Sequence, residues 1–357
     1  MTASRETLLA ALDHHVDPLL GQGLVSAGVV KSVQPGSRPL VEIELGFPAA
    51  GIRDRFCQAV AQTLRQACGV EAEVKLSWQI QSQALRRNLQ PLPEIKNIIA
   101  VASGKGGVGK STVAANLALA LRLEGARVGL LDADIYGPSQ PRMLGVEGER
   151  PTSPDGRRMH PIEAQGLQVM SIGFLIDDDQ PMIWRGPMAT QALNQLIGET
   201  AWQALDYLVI DLPPGTGDIQ LTLSQKIPLS GAVIVTTPQD IALLDARKGL
   251  QMFRKVEVPV LGIVENMAIY CCPNCGHSEH IFGAGGGEKL ARDYDTELLG
   301  ALPLSAKIRA QADGGRPTVI AEPDSAEAQS YRAIARTAAA RLAHGAAQTA
   351  FPSIEIA

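Results

Sequence analysis

Aromatic residues are scarce in this chain: Phe, Trp and Tyr together make up 4% of its 357 residues. Few rings are available for stacking nucleobases, and a formal net charge of −5 supplies no surplus of cations for a phosphate backbone. A nucleic-acid partner is therefore not expected. No run approaches the ~18 consecutive apolar residues of a membrane-spanning helix. The opening segment MTASRETLLAALDHH carries early charges and no continuous apolar core, so a secretory signal is not expected either. Cysteine is limited to five positions, an odd number unevenly spaced, which does not look like a disulfide framework. A reducing cytoplasm is the expected compartment. What remains is a chain long enough for two domains, with 45% hydrophobic residues to build cores and a modest 19% charged.

The chain turns on Ser103–Thr112, SGKGGVGKST. An apolar run, Ile98–Ala102, precedes it and reads as a short buried strand. Val113–Glu124 follows and reads as a helix. Strand, glycine-rich loop and helix form the context in which G-x-x-x-x-G-K-[ST] is a phosphate site. Gly104, Gly106, Gly107 and Gly109 are expected to let the backbone take φ > 0 and turn its N–H groups, Val108 among them, inward around an anion. A helix starting near Lys110 adds its positive end. Lys110 supplies a point charge for the β- and γ-phosphates, and Ser111 and Thr112 close the motif, with the Ser111 hydroxyl available to Mg²⁺. Lys105 is unusual: two ammonium groups five residues apart in a tight loop repel unless phosphate lies between them or one points elsewhere.

Residues 1–78 read as a separate small α+β domain. Glu6–His14 has helical apolar spacing. Leu24–Val33 and Leu40–Leu45 read as strands of a hairpin joined by Gln34–Ser37. Ile52–Ala67 reads as a helix with Phe56, Val60 and Leu64 on one face, and Val70–Trp78 as a last strand. Cys57 and Cys68 on this helix are expected to be packed core residues, and His14 and His15 a solvated helix end. Residues 79–94, rich in Gln and with Pro91 and Pro93, read as a linker. From Ile95 to about residue 345 strands and helices alternate, with 346–357 as a tail. Strands are expected at Ile98–Ala102, Val128–Leu131, Leu167–Ile172, Tyr207–Ile210, Ala232–Thr236, Val260–Val264 and Leu298–Ala301. Continuous apolar strands between helices predict an α/β fold, a doubly wound and mostly parallel sheet buried on both faces, with ligands at the carboxyl ends of its strands.

The remaining motifs fall at those ends. Asp132 and Asp134 leave the second strand of this domain, where one carboxylate can serve Mg²⁺ and another can orient an attacking water; a pair of turn or helix-capping aspartates is the plainer alternative. Asp211 ends the fourth strand and opens DLPPGTGD, placed like a magnesium-binding carboxylate followed by a loop that senses the γ-phosphate. Asn266 ends a later strand, and its carboxamide can pair with an adenine edge. A second chemistry follows in Cys272-Pro273-Asn274-Cys275-Gly276, a turn that lets two sulfurs face one point. Three uses stay open on chemistry alone: a redox dithiol, zinc with His277 and His280, or an iron–sulfur cluster, for which one chain offers only two thiolates and a symmetric dimer four. Cys271 reads as a packing position, with an auxiliary ligand as the alternative.

The two-lysine loop resembles the deviant Walker A loop of SIMIBI-class, MinD-like P-loop ATPases. That resemblance implies that Lys105 reaches the nucleotide of a partner subunit, that Asp134 handles the attacking water, and that Asp132 acts on the magnesium site indirectly. More specifically, residues 95–320 resemble the Mrp/ApbC family of iron–sulfur cluster carriers. The segments that carry the resemblance are VASGKGGVGKSTVAANLALAL, LLDADIYGPSQPRMLG, IWRGPM, LDYLVIDLPPGTGDIQLTLSQ, GAVIVTTPQD, GIVENMAIYCCPNCG and IFGAGGGEKLA. It implies an ATP- and Mg²⁺-binding homodimer that holds a [4Fe-4S] cluster between subunits on Cys272 and Cys275, hydrolyses ATP slowly, and passes the cluster from an upstream scaffold to apo-proteins. Through Asp17-Pro18, followed by Leu24–Gly28 and the hairpin, the N-terminal domain resembles assembly factors of the SufT/PaaD kind, whose relatives often have a cysteine after the second strand; Phe47–Gly51 has none. Septum- or chromosome-positioning ATPases share the loop, and nitrogenase-reductase-like electron donors also bridge a cluster across a dimer. The first kind need a membrane or DNA surface, and the second separate their cluster cysteines widely in sequence.

Overall fold

The computed structural model describes residues 3–83, 89–175 and 186–347. Part of the expected linker, the first half of the IWRGPM segment and the tail from 348 onward lie outside these residues. The chain divides into two compact units, one of Met1–Gln81 with Leu123–Gly125 and Ala339–Ala357, the other of Ser82–Arg122 with Ala126–Ala338.

In the first unit a helix over Arg5–His14, capped by the Ser4 hydroxyl on the Thr7 N–H, is followed by β1 (Val30–Gln34), β2 (Leu40–Leu45), a helix over Arg53–Cys68 and β3 (Glu73–Trp78). β1 and β2 pair antiparallel, β2 and β3 parallel. Alternation places Val41, Ile43 and Leu45 in the core, with Phe56, Val60 and Leu64 buried on the longer helix. The first strand is shorter than expected. Leu24–Gly28 forms a turn because Asp13 takes the Ser26 N–H at 2.7 Å and its hydroxyl at 3.1 Å. A side chain at Gly23 would collide with Asp13, whose carbonyl oxygen lies 1.9 Å from the Cβ position. Cys57 and Cys68 are half-buried rather than core residues, and burial pushes the Cys57 thiol up. His14 is exposed, whereas His15 is half-buried against the Thr63 hydroxyl at 2.8 Å.

The second unit carries the larger sheet: β4 (Ile95–Ala102), β5 (Val128–Asp132), β6 (Ile162–Ala164), β7 (Leu167–Ser171), β8 (Leu205–Asp211), β9 (Gly231–Thr236), β10 (Val260–Glu265) and β13 (Leu298–Ala301), with a small hairpin of β11 (Tyr270–Cys271) and β12 (Ser278–Glu279) apart from it. Among the described residues the sheet runs β13-β10-β9-β4-β8-β5-β7-β6. Every pairing is parallel except β6 with β7. This is the doubly wound architecture: β5 and β7 lie to one side of β4, β9 and β10 to the other, so the topology switches at the carboxyl end of β4, where ligands bind in such sheets. Strands β5, β8 and β9 are buried along their whole length, as a sheet covered on both faces requires. Helices at Gln140–Met143, Asp218–Lys226, Ala306–Asp313 and Thr318–Ala321, together with β6 and the β11–β12 hairpin, were not expected from sequence. No helix of the described residues is long and apolar enough to cross a membrane.

Asp206 fastens the amino ends of the central strands. Its carboxylate accepts Lys96 Nζ at 2.8 Å and the Arg127 backbone N–H at 2.9 Å, while its carbonyl accepts Asn97 Nδ2 at 3.3 Å. Burial raises its carboxyl, but the hydrogen bonds from Lys96 and Arg127 outweigh that and hold it below the usual range. A depressed folded-state value means that stability is gained above the unfolded carboxylate value, about 3.9, and lost as pH falls through the folded one. Asp206→Ala should therefore lower stability at neutral pH by about 1–3 kcal/mol. Urea melts should show that difference shrinking under acid.

Candidate functional site

The glycine-rich loop leaves β4 and enters the helix Lys110–Leu123, whose residues Val113–Leu121 are all buried. The expected role of its glycines needs correction. Only Gly107 and Gly109 take positive φ, both +80°. Gly104 is required for a different reason: a Cβ there would lie 2.2 Å from the Asp245 carbonyl carbon, on the helix Asp240–Lys255. Gly106 has neither constraint. Gly109 has both, since a Cβ there would also lie 2.2 Å from Asn266 Nδ2.

Below the loop, charges are buried together. Lys110, 5% exposed, forms an ion pair with Asp211 Oδ1 and lies 3.5 Å from Asp134 Oδ2 and 3.3 Å from the Ser111 hydroxyl. Asp132 and Asp211 are fully buried and face each other across β5 and β8. Asp132 accepts N–H groups from Asp134, Ser139 and Gln140 at 3.2, 2.9 and 3.0 Å and the Ser171 hydroxyl at 3.2 Å. It thereby ties the loop after β5 to the strand end. Burial, and then the Asp211 carboxylate, push the Asp132 carboxyl up. Burial also raises Asp134, against the pull of Lys110. Two carboxylates, Asp134 and Asp211, thus contact one buried ammonium, with a third, Asp132, beside Asp211 on the neighbouring strand. That donor set, with the Ser111 hydroxyl beside it, fits a divalent cation. Among the described residues no three His, Cys, Asp or Glu side chains form a metal cage; Mg²⁺ ordinarily takes few protein ligands and leans on phosphate and water.

Asn266 is brought to the loop. Its Nδ2 donates to the Val108 carbonyl at 2.9 Å and its backbone N–H to Thr236 at 2.7 Å. Thr112 is half-buried, its carbonyl taken by Asn116 Nδ2 at 2.9 Å. Lys105 is not drawn into the cluster: its carbonyl accepts the Ser103 hydroxyl at 2.9 Å, and its ammonium makes no ion pair among the described residues. Two residues escaped the sequence reading. Gln140, fully buried, donates to both Ser111 and Asp211. Glu265, buried at the end of β10, accepts the Gly287 N–H. The latter was detectable, because it ends a strand as Asp132 and Asp211 do.

The cysteines lie elsewhere. From Asn266 the chain passes Met267, held at φ +57°, and Ala268, whose carbonyl is bound by a His280 ring nitrogen at 2.7 Å. It then forms the β11–β12 hairpin, in which Tyr270 faces Glu279 and Cys271 faces Ser278. The turn is closed by Cys272 N–H to His277 and Gly276 N–H to Cys272, both at 2.9 Å, with Gly276 at φ +72°. Cys272 is half-buried and Cys275 exposed. Backbone N–H groups of Asn274 and Cys275 hold the Cys272 thiol below its usual value, favouring the thiolate that binds metals. Cys271 is exposed, not packed: a two-residue hairpin has no layer to cover it.

This phosphate loop at the switch point of a parallel sheet, with buried carboxylates at the ends of β5 and β8, defines a P-loop NTPase. The chain belongs to the NUBPL iron-transfer P-loop NTPase family within the ParA group, whose model matches residues 94–339. It is 62% identical over 267 residues to an iron-sulfur cluster carrier protein of Pseudomonas fragi, covering 74% of this chain and 93% of that one. It is 49% identical over 301 residues to the mouse iron-sulfur cluster transfer protein NUBPL, covering 83% and 93%. A nucleotide-binding protein of Archaeoglobus fulgidus, solved with ADP, superposes with a TM-score of 0.57 at 41% identity over 65% of this chain and 90% of that one. The cell division ATPase MinD of Pyrococcus furiosus shares the fold, with a TM-score of 0.51 at 24% identity over 68% and 97%.

Gly109→Ala should weaken nucleotide binding, because it adds about 1–2 kcal/mol of backbone strain to the collision with Asn266. Titration with a fluorescent ATP analogue measures this. Adding Asn266→Ala should not restore binding, since the strain at positive φ remains and the Val108 carbonyl loses the Asn266 donor.

Proposed function

We propose that this protein carries a [4Fe-4S] cluster between two copies of itself and delivers it to apo-proteins, with ATP binding and slow hydrolysis governing loading or release. The observation that carries this reading is the hairpin. It presents an exposed Cys275 thiol beside a half-buried Cys272 thiol tuned toward the thiolate, and its connecting segment starts at the residue that holds the phosphate loop. Cys272 and Cys275 of one copy supply two of the four thiolates such a cluster wants, and a two-fold partner supplies the others. The cluster is cargo, received from an upstream scaffold and passed on in the cytoplasm. The iron–sulfur names of the bacterial and mouse relatives support the same reading.

In the nucleotide site the backbone from Gly104 to Thr112 cradles the phosphates, and Lys110 exchanges Asp211 for the β- and γ-phosphates. Ser111 and Asp211 hold Mg²⁺, with Asp132 fixing the loop beside it. The cation offsets phosphate charge. Asp134 orients the attacking water, Lys105 extends to the partner's nucleotide, and Asn266 lines the adenine side while anchoring Val108. Nucleotide thus tightens the dimer that brings the two hairpins together.

Cys272→Ala or Cys275→Ala should abolish the broad visible absorbance gained on anaerobic reconstitution with iron and sulfide, and leave ATP binding unchanged. Zinc retained in place of iron would overturn the carrier reading, as would failure to activate an apo-aconitase-type acceptor. Asp134→Ala should slow ATP turnover by about 10²–10⁴-fold with binding spared, measured by phosphate release; unchanged turnover would remove Asp134 from the water-positioning role.

A further inference from the structure

Gln140 is a buried side chain that connects the residues assigned to magnesium. It is fully buried at the start of the short helix Gln140–Met143. Its Nε2 donates to the Ser111 carbonyl at 3.0 Å and to Asp211 Oδ2 at 2.9 Å. Its backbone N–H donates to Asp132 Oδ2 at 3.0 Å. One residue therefore touches all three of Ser111, Asp132 and Asp211. Its remaining polar atom, Oε1, is buried and has no hydrogen-bond partner in the protein. A buried amide oxygen without a donor is costly to keep and marks a place where a donor from outside the chain belongs.

The two oxygens of Asp211 have different partners. Lys110 holds Oδ1 and Gln140 holds Oδ2. When Lys110 turns to phosphate, Asp211 loses one of its two restraints. The other stays, so the carboxylate keeps its orientation while Oδ1 becomes available. We propose that Gln140 is a positioning residue for the magnesium–nucleotide complex: it fixes Asp211 against the Ser111 end of the phosphate loop and offers Oε1 to a water molecule of the cation's hydration shell. An aliphatic side chain would fill the same space without either function. A glutamate would add a further carboxylate against Asp211, which Asp132 already faces.

This inference rests on reading Ser111 and Asp211 as magnesium residues, and the experiment separates the two. Binding of a fluorescent, non-hydrolysable ATP analogue is titrated with Mg²⁺ for the wild type, Gln140→Leu, Gln140→Glu, Ser111→Ala and Asp211→Asn, alongside binding in EDTA and a thermal melt. Residues that orient metal ligands typically contribute about 10–100-fold in metal affinity. Gln140→Leu should raise the half-saturating Mg²⁺ concentration within that range, with binding in EDTA unchanged, and Gln140→Glu should raise it at least as far. If Ser111→Ala and Asp211→Asn raise the Mg²⁺ requirement and the Gln140 variants do not, the role of Gln140 is wrong. Equal loss of binding with and without Mg²⁺ makes the residue a packing element only and overturns the proposal. An unchanged Mg²⁺ requirement in Ser111→Ala and Asp211→Asn overturns the magnesium assignment on which it depends. Should Gln140→Leu fail to fold, Gln140→Glu, close to the native shape, carries the same test.

Discussion

The ion pair between Lys110 and Asp211 is the interaction on which the nucleotide site depends. Asp211 is fully buried and Lys110 nearly so. Charges taken out of water are costly unless each is matched, so neither partner can be lost without stranding the other. The match is incomplete: Asp132 and Asp134 lie close by with no second ammonium in the cluster among the described residues, and burial raises both carboxyls. A site with this excess of carboxylate is poised for a cation, and its lysine is poised to move to a polyanion. The positive end of the helix beginning at Lys110 and the two left-handed glycines of the loop favour the phosphates. On the proposed reading, nucleotide and Mg²⁺ would complete the charge balance that the protein alone leaves incomplete.

The same loop is fastened to the segment that bears the cysteines. Asn266 holds the Val108 carbonyl, and Gly109 must lack a side chain to let it do so. Six residues further on stands Cys272. Between them are Met267 in a left-handed conformation, costly for a side chain of that size, and Ala268, pinned by His280. Glu265, just before Asn266, holds the start of the helix Gly286–Asp293 beyond the hairpin. The phosphate loop and the thiols are thus joined by a short covalent and hydrogen-bonded route.

Much of this was legible in the sequence, for physical reasons. Strands such as Ile98–Ala102 and Tyr207–Ile210 declare themselves because a sheet covered on both faces must be apolar throughout. Strand-terminal aspartates and a lysine in a glycine-rich loop are local signals. What escaped was non-local or small. Gln140 reaches partners 29 and 71 residues away, and nothing in its neighbourhood announces them. The helix Asp218–Lys226 starts inside a proline- and glycine-rich stretch that reads as loop. The β11–β12 hairpin has strands of two residues each, too short for any periodicity. Leu24–Gly28 has the composition of a strand, yet Asp13 holds it as a turn. The loop glycines were recognised as a group, but only the structure separates those that need positive φ from Gly104, which is required by the approach of a distant helix.

The central claim is that two copies of this chain share one cluster through Cys272 and Cys275. Native mass spectrometry of the protein reconstituted anaerobically with iron and sulfide tests it most directly. The account predicts a mass of two chains plus four iron and four sulfide, the complement of one such cluster, and its collapse to cluster-free protein when both cysteines are replaced by alanine. A cluster or a single metal ion carried by one chain alone, or an iron-loaded dimer that survives those replacements, would contradict it.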